Sequence, residues 1–200
     1  MSDDLRRGLE SAQRLGSAAQ VLAGLVAASG VVMAIAVSVY LNDAWPEAYA
    51  GTDDMEAIEW FQLVDILLLF LSFFVVGAWI YRAHANLKLT DLPDTGYSPG
   101  WAVGWFAIPI ASLFKPFQAM KALWVASHGL SYEAEPSAPG VMWVWWLCWI
   151  FSSLFGFGET LGMINVLVFV STSVSAVCLI VIIRDINAAQ PNMSMAEVFE

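Results

Sequence analysis

The sequence predicts an all-α integral membrane bundle of four transmembrane helices. A proline-broken re-entrant or short fifth helix and an interfacial amphipathic helix complete it. Three observations carry this reading. Apolar residues make up 59% of the chain and charged residues only 13%, well below the roughly 25% of soluble domains. So little charge cannot cover a soluble surface, and the bilayer must act as solvent. Apolar runs over about 15–41, 60–81, 141–155 and 161–183 alternate with polar loops. A further run over 98–117, "SPGWAVGWFAIPIASLFKPF", is apolar but interrupted by Pro99, Pro109 and Pro116.

Residues 1–14, "MSDDLRRGLESAQR", form a polar N-terminal segment with Arg6, Arg7 and Arg14, expected to be cytoplasmic and to begin an interfacial helix. The first apolar run, Leu15 to Leu41, has 27 residues, against about 7–15 in a signal-peptide core. It reads as a retained span with Tyr40 and Trp45 as an aromatic belt at its far end. Within it, Ala19, Ala23 and Ala27, flanked by Gly24 and Ala28, recur at helical spacing and allow close helix approach. The loop over 42–59 carries Asp43, Glu47, Asp53, Asp54, Glu56 and Glu59 with no basic residue.

The second span covers about 60–81 and runs into "RAHANLKLTDLPDTGY", basic and then turn-rich. The tryptophan-rich span at 141–155 and the last span at 161–183 are joined by the tight connection "GFGET". Residues 191–200 form a polar tail, and 15–190 read as one transmembrane domain.

The broken stretch is placed by charge and by length. If residues 99–113 crossed the membrane, Lys115, Lys121 and Arg184 would fall outside. If the stretch returns on its own side, Arg6, Arg7, Arg14, Arg82, Lys88, Lys115, Lys121 and Arg184 all lie inside, as the positive-inside rule favours. Gly100 to Leu113 as a helix would span about 21 Å, short of the ~30 Å hydrocarbon core. Ser98 and Pro99 supply an N-cap and an N1 proline, and Pro109 breaks the helix beyond them. The expectation is a half-helix over 99–113 followed by an interfacial helix over 117–128, with both termini cytoplasmic; a kinked full span is the alternative. Gly100, Gly104, Ala107 and Ala111 fall on one side for close packing, and Trp101 and Trp105 on another.

"WIYRAHANLKL", "SPGWAVGWFAIPIASLFKPFQAMKALW", the tryptophan-rich span and "IIRDINAAQ" together resemble a bacterial membrane-protein family, domain of unknown function 4328. The likeness covers roughly residues 60–190. It rests on Arg82, Ala83, Asn86, Ser98, Pro99, Trp101, Ala102, Val103, Gly104, Pro109, Ile110, Pro116, Met120, Trp124 and Gln190. Two positions depart from the pattern: Ser112 stands where asparagine is expected, and no glutamate precedes Trp124 near Leu123. The resemblance implies a multi-pass protein of the bacterial plasma (inner) membrane and brings no activity with it.

Asp65 is an acid inside a span, and an intramembrane ionisable group suggests function by default. Its bland reading is a shallow residue bonded to a neighbouring helix. Arg82 and Asn86 share a helix face toward the edge that carries Lys115 and Lys121. With Ser98 and Gln118 they suggest a basic pocket for an anionic lipid headgroup, and Pro99, Trp101, Trp105, Pro109, Pro116 and Trp124 of the family motif complete the candidate site. The bland alternative is positive-inside anchoring.

His84 and His128 are the two histidines and would suit haem or metal ligation only as a pair. No nucleophile elbow, phosphate-cradling loop or metal-ligand spacing occurs, and eight Lys and Arg make no nucleic-acid footprint. Cys148 and Cys178, both in apolar runs, read as small hydrophobes rather than a disulfide. The expectation is a non-enzymatic packing or accessory subunit without cofactor, partnered by lipids and by other membrane proteins or itself. A small oligomeric channel or transporter is the alternative, and a haem or metal protein a further one.

Overall fold

The computed structural model describes residues 2–41, 52–90, 96–130, 137–156 and 163–194. Residues 42–51 of the acidic connection, with Trp45, the stretch over 131–136, the turn around Glu159 and the last residues of the tail lie outside these, whereas the rest of the expected loop, from Thr52 on, is the start of a helix. Six α-helices are described: α1 (Asp3–Leu41), α2 (Thr52–Leu87), α3 (Pro99–Gly104), α4 (Lys115–Ser127), α5 (Gly140–Phe155) and α6 (Met163–Ala189). No strand occurs among the described residues. Three helices are long and apolar enough to cross a membrane, over Asp3–Val39, Trp60–Leu87 and Met163–Asn192. This is a helical membrane protein. The fourth expected span, α5, is a 16-residue apolar helix, about 24 Å long.

The polar start and the first span are one continuous helix, not a separate segment and span. Its 39 residues reach about 58 Å, nearly twice the hydrocarbon core. What unites the two parts is a single buried stripe: Leu5, Leu9, Ala12, Gly16, Ala19, Ala23, Val26, Gly30, Met33 and Val37. Their spacing alternates between four and three residues, the 3.5-residue period of a coiled-coil seam. The partner seam on α6 includes Ser173, Ala176 and Ile183, also buried, and Gln190 follows just past its end.

The two helices run antiparallel, since Gly16 meets Asn187 while Gly30 meets Ser173. Ser173 Oγ donates to the Ala27 carbonyl at 3.0 Å across the seam. Small residues allow this approach, as expected for Ala19, Ala23 and Ala27. Gly24 faces open space and Ala28 is exposed, so the second small stripe does not pack.

α2 packs antiparallel on α1, with Gly8 against Arg82 and Gly16 against Trp79. α5 lies on α6 through Ser175 Oγ, which donates to the Trp145 carbonyl at 3.2 Å. These directions put Asp3, Leu87, Ser127, Gly140 and Asn192 at one end of the bundle. All eight basic residues sit on the segments at that end. Cys148 and Cys178 are free thiols.

The broken stretch does not form a span-length helix. α3 ends at Gly104, one 3-10 turn follows over Trp105–Ala107, and Ile108 is extended (φ −100°, ψ 112°). Helix therefore stops before Pro109, because a proline disfavours α conformation in the residue ahead of it. The helical part, nine residues, is about 13 Å long. A second 3-10 turn over Ala111–Leu113 leads into α4, which opens at Lys115 with Pro116 in its first turn.

Packing of α3 differs from the expected small-residue face. Gly100 has open space around it, whereas Ala102 is buried and Val103 meets Gly77 of α2. Aromatic rings hold the segment in place. Phe106 meets Phe73 of α2 at 6.1 Å and Trp149 of α5 at 5.8 Å, both edge-on. Trp149 stacks on Trp146 at 5.0 Å, and Trp146 meets Phe117 of α4 at 6.0 Å.

Candidate functional site

The turn before α3 and the start of α4 build a cavity. Gly96 takes a left-handed conformation (φ 72°), which glycine adopts without a Cβ clash. Ser98 is extended and its Oγ accepts from the Trp101 backbone N–H at 3.3 Å, capping α3, with Pro99 in the first turn. One turn apart, the Trp101 and Trp105 rings lie 4.7 Å from each other at 33°.

Lys115 returns across the chain break and sets its Nζ over the Trp105 ring at 5.8 Å. Tyr97 donates its hydroxyl to Gln118 Oε1 at 3.1 Å, tying the turn to α4. Gly96, Tyr97, Ser98, Trp101, Trp105 and Lys115 line an open cavity of about 420 Å³. It offers one ammonium, hydroxyl groups and two indoles: a cationic site with apolar walls, suited to an anion attached to an apolar body.

Arg82 and Asn86 do not line this cavity. They turn toward α1 and α6, where Arg82 Nε donates to the Gly8 carbonyl at 3.4 Å and Asn86 Nδ2 donates to Gln190 Oε1 at 3.2 Å. Gln190 in turn donates to the Ala83 carbonyl at 3.1 Å, and Trp79 Nε1 donates to Asn187 Oδ1 at 2.9 Å. Trp79, Ala83, Asn86 and Gln190 are buried, so this is a polar knot between three helices. The single basic pocket expected from sequence is thus two arrangements, split because α2 presents Asn86 to α6 rather than to α4.

Pro109 is exposed at the chain reversal, and Pro116 is buried at the start of α4. Trp124 faces α6, donating its Nε1 to Asp185 Oδ2 at 2.6 Å.

Asp65 is half-buried and accepts from Ser29 Oγ of α1. His84 is buried beside the Ala119 backbone, and neither ring nitrogen reaches hydrogen-bonding geometry with a partner. His128 lies past the end of α4, about 13 Å along the helix from Ala119, so the two rings are not brought together. Among the described residues no three His, Cys, Asp or Glu converge as a metal site.

Sequence reasoning missed Tyr97, Phe106, Asp185 and Asn187. Tyr97 adjoins the Ser-Pro start and could have been read with it. Asp185, Asn187 and Gln190 form a polar run at the end of an apolar helix, a signal of buried polar contacts.

A family model for a domain of unknown function, DUF4328, matches residues 46–190. The chain belongs to this family. Searches of curated proteins and of solved structures gave no match. The family region contains the cavity over 96–115 and the knot residues Arg82, Asn86 and Gln190, whereas α1, which closes the knot through Gly8, precedes it. Family membership supplies no activity.

Proposed function

We propose that this is a non-enzymatic, multi-pass protein of the bacterial plasma membrane that holds an anionic lipid headgroup at its cytoplasmic edge and acts as an accessory partner of other membrane proteins. The observation that carries the reading is Lys115 poised over Trp105 at the mouth of the cavity that starts with Tyr97 and Ser98. Lysine at a headgroup level answers phosphate, while tryptophan prefers the membrane interface. Four crossings, by α1, α2, α5 and α6, with Ser98–Ser127 entering and leaving on one side, fit the eight basic residues gathered at that end. Phe106, set between Phe73 and Trp149 just ahead of the break, supports the re-entrant placement by tying the end of the helical part to α2 and α5, while Ala107–Ile110 themselves are exposed.

The test is lipid retention. The protein in nanodiscs of mixed zwitterionic and phosphatidylglycerol lipid is released into detergent, and bound lipid is counted by native mass spectrometry. Retained phosphatidylglycerol should fall about tenfold in Lys115→Gln combined with Trp105→Ala, a loss of ~1.4 kcal/mol. Equal retention by wild type and variant removes the headgroup reading. A transport reading has Asp65 in its favour, an acid on a span with Ser29 as its partner; liposome ion flux abolished by Asp65→Asn would support it.

A further inference from the structure

We propose that His128 and Asp185, both held by Trp124, form a binding site for a divalent transition-metal ion that clamps the end of α4 to α6. His128 Nδ1 lies 2.8 Å from the Trp124 carbonyl. A carbonyl only accepts, so Nδ1 carries a hydrogen and Nε2 is the ring atom left to face Asp185, bearing a lone pair whenever the ring is neutral. Nε2 lies 3.5 Å from Asp185 Oδ2. A second proton on Nε2 makes the pair an ion pair; with the neutral ring, the same gap lies between two acceptors and takes a metal cation.

The size of the gap suits a metal. Zinc binds histidine nitrogen at about 2.0–2.1 Å and carboxylate oxygen at about 2.0–2.2 Å in tetrahedral geometry, which sets the two donor atoms roughly 3.3–3.5 Å apart. The surroundings have the form of an outer ligand shell. A ligating histidine donates its other N–H to a carbonyl, and a ligating carboxylate is itself hydrogen-bonded. Here Trp124 does both, accepting from Nδ1 through its backbone and donating its indole N–H to Asp185 Oδ2 at 2.6 Å. Its ring also stacks on the imidazole, with centroids 4.4 Å apart.

The site is reachable and roomy. The side chains of His128 and Asp185 are 25% and 50% exposed. They open on a cavity of about 360 Å³ lined by Ser127, Gly129 and Asn192 among others. Asn192 lines the same cavity, and water would complete the coordination. Ser127 Oγ, buried at the same place, has no hydrogen-bond partner. No third His, Cys, Asp or Glu joins the pair among the described residues, so the predicted site is open and of moderate affinity. Nitrogen and carboxylate donors select zinc-like ions over magnesium or calcium.

The test is calorimetric titration of ZnCl₂ into the untagged full chain in detergent, with MgCl₂ as control. The expected result is one saturable zinc site, weakened at least tenfold in His128→Gln and in Asp185→Asn. Trp124→Phe, which keeps the ring but removes the indole donor, should weaken it by about tenfold. Zinc should raise the thermal midpoint of the wild type and leave those of His128→Gln and Asp185→Asn unmoved. X-ray absorption of the zinc-loaded wild type should show a nitrogen and oxygen shell, a readout that needs no variant. Absence of saturable zinc binding, unchanged affinity in both variants, or a sulfur shell pointing to Cys148 or Cys178 would overturn the proposal.

Discussion

Asn86 of α2 donates its side-chain amide to Gln190, past the end of α6, at 3.2 Å, and both side chains are buried. Gln190 passes the contact on to the Ala83 carbonyl. Removing Gln190 therefore strands the Asn86 amide and takes a second donor from the Ala83 carbonyl. Gln190→Ala should cost about 1–3 kcal/mol, the usual penalty of an unsatisfied buried group. Its thermal midpoint in detergent should fall further than that of an exposed substitution such as Asn192→Ala. A double-mutant cycle between Asn86 and Gln190 should give a coupling of roughly 1 kcal/mol.

The α1–α6 seam makes a paired prediction about glycines. A Cβ at Gly16 would overlap the Asn187 amide and press on Trp79, whereas one at Gly24 meets nothing. Gly16→Ala should destabilise by about 1–3 kcal/mol through overpacking. Gly24→Ala should be neutral or stabilise by up to ~1 kcal/mol through helix propensity. Thermal melts of the two variants side by side check both signs.

Phe106 links the broken segment to α2 and α5 at once. Phe106→Ala should cost about 2–3 kcal/mol, below the full-core range because the ring is half-buried. Hydrogen exchange should rise most at Ile108–Phe114 amides and little in α1. Uniform loosening of the whole bundle would show that the ring is not the local anchor.

Asp65 accepts from Ser29, and an asparagine oxygen accepts equally well. Asp65→Asn should keep α1 and α2 together with a change within about 1 kcal/mol, read by thermal melting. Ser29→Ala, which removes the donor, should cost about 1–2 kcal/mol.

Most of the helical architecture was legible because hydrophobic period and proline punctuation report local structure. Ser98 and Pro99 marked the start of α3, and Pro109 the region of its break. The continuity of α1 was not legible, since polar Arg6, Arg7 and Arg14 hide a stripe whose purpose appears only when α6 lies beside it. The candidate site was half legible. Ser98, Trp101, Trp105, Lys115 and Gln118 come together because they sit on one turn, one short helix and the next helix start. Arg82 and Asn86 were misplaced for a tertiary reason: the rotation of α2 about its axis is set by Gly8 and Gly16 of α1, by Asn187 of α6 and by Gln190 just past it. No local pattern in α2 carries that information. His128 and Asp185 meet across 56 intervening positions, a pairing that only the packing of α4 on α6 reveals.

The central claim is that the chain from Ser98 to Ser127 enters and leaves at the end of the bundle that carries Asp3 and Asn192. Single cysteines at Leu89 and Leu130, both exposed, bracket this segment in a background with Cys148 and Cys178 replaced by alanine. A membrane-impermeant maleimide applied to intact spheroplasts and to inverted vesicles reports the side of each. Labelling of both positions only in inverted vesicles is the predicted result. Labelling of Leu130→Cys from the opposite side to Leu89→Cys would contradict the account, because it would require the segment to cross.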